Sequence, residues 1–113
     1  MSRDPILLLE DILEACGKVR NYIAGFSYEQ FVADDKTFDA VVREFEIIGE
    51  AVKSLPSELL SKEPQIPWRE IAGFRDVLSH AYFAIEESIV WDAAKNRVAE
   101  LDAACRRLLN LTS

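Results

Sequence analysis

Residues 38–55 read FDAVVREFEIIGEAVKSL, and their apolar spacing decides the fold. Phe38, Val41, Phe45, Ile48, Val52 and Leu55 recur at steps of three and four, which lines them up along one side of an α-helix. The flanking polar residues complete an amphipathic helix with one buried face. The same rhythm appears on either side of this stretch. Leu9, Ile12, Cys16, Val19 and Ile23 carry it near the N-terminus, and Trp91, Ala94, Val98, Leu101, Cys105 and Leu108 near the C-terminus. No run alternates with period two and no Asn-Gly or Asp-Gly turn occurs, so strands are not expected.

Local punctuation sets the limits of these helices. Asp4-Pro5 supplies an N-cap and a proline at the first helical position, and Gly25 ends the helix that begins there. Ser27 with Gln30 forms the pattern of a capping box that opens a short helix. Asp34-Asp35 caps the helix quoted above, which stops at Pro56. Ser57–Ser61 allows a single turn, and Pro64 and Pro67 impose an extended connection. Helix resumes at Trp68 and runs to about Ala81, and a last helix spans roughly Glu86 to Leu109. The expected fold is all-α, an antiparallel bundle of four main helices plus short helical turns, in one domain over residues 1–113. Phe26, Phe31, Trp68, Phe74, Tyr82 and Phe83 lie outside the three stripes. They either fill the ends of the core or, as expected here, are partly covered in a homodimer.

Composition narrows the function. The chain has 113 residues, half of them apolar, and a formal charge of -7. Residues 1–67 hold seven basic and thirteen acidic groups, whereas residues 68–113 hold six and seven. The acidity belongs to the first half, and a broad basic surface for coating nucleic acid or an anionic membrane is excluded. Apolar stretches such as Pro5–Leu9 are far too short to span a bilayer, and no signal-peptide pattern precedes that one, so a cytoplasmic location is expected. Two distant cysteines and one histidine supply neither a disulfide framework nor a zinc site. The four glycines are scattered, so phosphate loops and dinucleotide fingerprints are absent and no cofactor is expected.

The lone histidine therefore draws attention. Asp76 and His80 stand four apart, one turn apart on the same helical face, where a carboxylate can hold one ring nitrogen and favour the charged imidazole. Arg75, Ser79 and Tyr82 form a second stripe. Arg75 and His80 differ by about 140° in direction on an ideal helix, a sector that a long arginine can cross. Histidine suits proton transfer at a ribose hydroxyl or a leaving oxygen, and an arginine fork suits phosphate. The residues alone leave two readings open, an acid–base site for phosphodiester cleavage or an ion-pair contact that pins an interface.

Arg75, His80 and Tyr82 together spell Arg-x4-His-x-Tyr. With Phe31 to Asp35, Thr37, Ala40-Val41, Arg43 through Ala51, Ile66-Pro67-Trp68, Ile71-Ala72-Gly73 and Val90-Trp91, the sequence resembles the HEPN superfamily. The resemblance is specifically to the HepT-like toxins of minimal nucleotidyltransferase toxin–antitoxin pairs, and it extends from about Ile6 to Leu108. It implies an all-helical homodimer that acts as a metal-independent endoribonuclease at an interface cleft. By the same match Arg75 and His80 are catalytic, Asp76 assists, and Tyr82 receives AMP from a nucleotidyltransferase antitoxin that silences the toxin. Asp76 stands where the family often has Asn or Asp, and Asp in place of Asn adds negative charge beside the phosphate. A non-catalytic helical module that binds RNA or nucleotide and scaffolds the nucleotidyltransferase is the alternative.

Overall fold

The computed structural model describes residues 4–80 and 86–112, and within 75–80 the backbone only. Helix α1 spans Pro5–Ile23, α2 Tyr28–Ala33, α3 Asp35–Ser54, α4 Ser57–Leu60, α5 Trp68–His80 and α6 Glu87–Asp92. A π-helical turn, Ala93–Arg97, joins α6 to α7, Val98–Thr112. Among the described residues there is no strand, as the missing period-two pattern requires. None of these helices is long and apolar enough to cross a membrane.

The caps behave as their residue types dictate. Asp4 accepts the Ile6 N–H at 2.8 Å to start α1. Ser27 and Gln30 exchange both bonds of a capping box at 3.1 and 2.9 Å, and Asp34 accepts the Thr37 N–H at 3.0 Å. These contacts satisfy N–H groups that a helix leaves without internal partners. Gly25 adopts a φ of 79°, a left-handed conformation that glycine enters without a Cβ penalty, and the chain turns there into α2.

α3 packs on α1 and α5, and α1 also packs on α7. Arg20, late in α1, reaches Asp102, early in α7, as neighbours of opposite direction do. Leu9, Ile12, Cys16, Val19, Val41, Cys105 and Leu108 are fully enclosed, so the three stripes read from spacing supply the core. Burying each leucine- or isoleucine-sized group contributes about 1.5–3 kcal/mol. Phe38 and Trp91 are only half-buried against that core.

Phe31 sits in the core rather than on an exposed face, with none of its surface accessible. The short helix α2 folds it inward against Phe38 and Trp91, with ring centres 5.7 and 5.2 Å apart. Phe26, Trp68 and Phe74 pack half-buried at the margin of the same core. For these four aromatics the core-end reading accounts for the burial. Tyr82 and Phe83 lie outside the described residues.

The wide turn at Ala93–Arg97 has a geometric reason. Val90, Ala94 and Val98 are all buried, at successive steps of four. Eight residues of regular α-helix would rotate the last of them about 80° away from the first. A turn with more residues keeps all three against the core.

Candidate active site

The motif helix begins at a fixed point. The Trp68 indole N–H donates to the carbonyls of Leu60 and Glu63, at 3.1 and 3.0 Å. The Ile71 N–H donates to the Pro67 carbonyl at 3.0 Å and sets the first turn of α5. Ile71, Ala72 and Phe74 rest half-buried on the core, and the Phe74 ring lies 5.9 Å from Phe45 of α3. α5 carries Arg75, Asp76 and His80, so these three share one helix, and Asp76 and His80 stand one turn apart along its backbone. The side chains of all three, and Tyr82 entirely, lie outside the described residues.

Beside α5 runs a groove of about 280 Å³ that separates it from the α6–α7 rod. Its floor is apolar, formed by Phe45 and Ile48 of α3, Ile71 and Phe74 of α5, and Val98 and Leu101 of α7. Glu70, Asp92, Arg97 and Glu100 stand on its rim, where Arg97 pairs with Asp92 at 3.5 Å. Ile89 lines the same groove and is 53% exposed. Among the described residues no group of three His, Cys, Asp or Glu side chains could hold a metal ion.

Two buried carboxylates, Asp102 and Glu63, take charged hydrogen bonds from arginines. Asp102 accepts from Arg106 at 2.6 Å and from Arg20 at 3.4 Å. Glu63, in the connection before α5, accepts a forked pair of bonds from Arg107, 2.7 Å from Nη2 and 3.0 Å from Nε, and one from Gln65 at 2.6 Å. Arg107 first, then Gln65, holds the Glu63 carboxyl below its ordinary pKa. Sequence reading gives no sign of this pair, because its members are 44 residues apart. The Asp102–Arg106 spacing of four was readable in principle, but nothing in it announces burial.

The cysteines are chemically quiet. Both are free and buried, and burial, ahead of nearby acidic groups, pushes each thiol up to about 12. Such thiols carry no appreciable thiolate at neutral pH and are not nucleophile candidates.

Comparison with known proteins matches residues 12–108 to the family described as Ribonuclease HepT-like. A protein of Caldanaerobacter subterraneus named "Putative RNase" is 41% identical over 107 residues, covering 95% of this chain and 96% of its own. One of Methanocaldococcus jannaschii with the same designation is 42% identical over 96 residues, covering 85% and 79%. A protein of Thermococcus cleftensis named "Probable ribonuclease HepT" is 40% identical over 100 residues, covering 88% and 91%. No solved structure gives a significant match. With an all-helical fold and a match over most of its length, the chain belongs to the HepT-like ribonuclease family of the HEPN superfamily.

Proposed function

We propose that this protein is the toxin of a toxin–antitoxin pair and cleaves RNA without a metal ion, using Arg75, Asp76 and His80. The observation that carries the reading is membership of a ribonuclease family together with the Arg-x4-His series on α5. In the proposed step His80 accepts the proton of a ribose 2′-hydroxyl, and the freed oxygen attacks the adjacent phosphorus. The bond to the 5′-oxygen breaks, and that oxygen takes up a proton as it leaves. Arg75 holds the phosphate and balances the charge that grows on it. Asp76, one turn before His80, orients the imidazole and favours its charged form.

One histidine per chain serves one proton transfer well, so the proposal includes a homodimer that brings two sites together. The apolar groove beside α5, with Ile89 exposed at its edge, offers the face for it. Tyr82 is proposed as the acceptor of AMP from a nucleotidyltransferase antitoxin. Adenylate there would add phosphates and bulk seven residues along the chain from Arg75 and block the place of the substrate phosphate.

Purified protein in chelator should cut RNA, and Arg75→Ala and His80→Ala should not, while both remain folded. Equal cleavage by all three would assign the activity to a contaminant and leave a non-cleaving module that binds RNA. Tyr82→Phe should stay toxic in cells beside the nucleotidyltransferase. Full neutralisation of that variant through modification would remove Tyr82 from its role.

A further inference from the structure

α5 leans on α3 along one side, while the groove holds it apart from α7 on the other. A helix supported on one side needs another contact to fix its position, and Glu63 supplies one. Its main-chain carbonyl accepts the Trp68 indole N–H at 3.0 Å and the Ile66 N–H at 3.2 Å, which ties it to the first residue of α5. Its carboxylate takes the forked bonds of Arg107 on α7. One residue thus joins the entrance of α5 to α7. Its side chain is 9% exposed, whereas that of Arg107 is 53% exposed. A carboxylate is buried in this way only when its charge is matched by geometry as good as this fork.

We propose that Glu63 and Arg107 are positioning residues for the Arg75–His80 site. The inference rests on the ribonuclease reading above. The pair sets where α5 enters the bundle, and small displacements there are carried along a rigid helix to the motif. An error of about 1 Å in a catalytic group can cost on the order of a hundredfold in rate. Neither residue belongs to the motif, and neither is expected to touch RNA.

Glu63→Gln is the discriminating variant, because it keeps the shape and leaves Arg107 free to be solvated. Arg107→Lys, which keeps the charge and loses the fork, is the second. With a fluorescent single-stranded RNA as probe, Glu63→Gln should lower kcat about tenfold or more and leave KM within about twofold. Arg107→Lys should fall between it and the wild type. Amide exchange should accelerate most over residues 68–80 and clearly less in α1 and the buried part of α3. An unchanged kcat, or exchange that quickens equally in every helix or in none, would overturn the proposal. If the wild type cuts no RNA, the ribonuclease reading fails by itself. The link between Glu63 and α5 is then judged by the exchange pattern alone, with the same outcomes for and against.

Discussion

The α1–α3–α7 side of the molecule and the α5 side are built to different standards. In the first, side chains such as Leu9, Ile12, Val41 and Leu108 have no accessible surface, and each helix meets another along its buried face. In the second, residues 68–74 include no buried position, and the helix borders an open groove. Stability in a protein is distributed unevenly in this way, and functional elements draw on the less supported end. The well-packed side makes the fold, and the helix beside the groove carries Arg75, Asp76 and His80.

The largest effect that would test this division is chemical. His80→Ala should reduce RNA cleavage by about 10²–10⁴-fold and leave the melting temperature nearly unchanged. A large loss of stability in that variant would show that the motif helix also serves the core. Next comes Phe31→Ala, which should destabilise by about 3–5 kcal/mol in denaturant unfolding, because its ring is fully enclosed. Phe74→Ala removes a half-buried ring on the other side and should cost less, about 1–2 kcal/mol. If the two costs are equal, the contrast between the sides is wrong.

Acid should act on the connection before α5. The Glu63 carboxyl titrates lower in the folded chain than its ordinary value of 4.5. Its stabilisation is therefore complete above that value and is lost as pH falls through the folded pKa. The stability gap between wild type and Glu63→Gln, measured by urea unfolding, should be widest near neutral pH and close progressively below about pH 4.5. The smallest expected effect on folding is that of Ile89→Ser, within about 0.5 kcal/mol, since the residue is exposed. The same change should weaken self-association in sedimentation. Unaltered association would move the proposed dimer face away from the groove.

The sequence made the well-packed side readable and the other side only partly so. The stripes, the Ser27 capping box and the Asp4 and Asp34 caps are local signals, each decided within about four residues. Position along α5 depends instead on Glu63 meeting Arg107 across 44 residues, and no short-range pattern encodes that meeting. Phe31 shows the same limit on a smaller scale. Its helix is six residues long, too short for a periodic face, so only tertiary packing shows that it turns inward. The wide turn at Ala93–Arg97 was hidden for a related reason, because steps of four suit a regular helix until the burial of all three positions is known. The motif itself was readable as spacing, and the backbone of Arg75, Asp76 and His80 lies on α5.

The two enclosed thiols have a practical consequence. Cys16 on α1 and Cys105 on α7 are fully buried in the well-packed side, and neither is bonded. A thiol reagent can reach them only in molecules where that side has opened. Their labelling rate in an excess of reagent is therefore a clock for opening of the well-packed side, read by mass without any added dye or engineered probe. Motions confined to α5 leave that clock running at its own pace, so local and global opening can be timed separately in the same native chain.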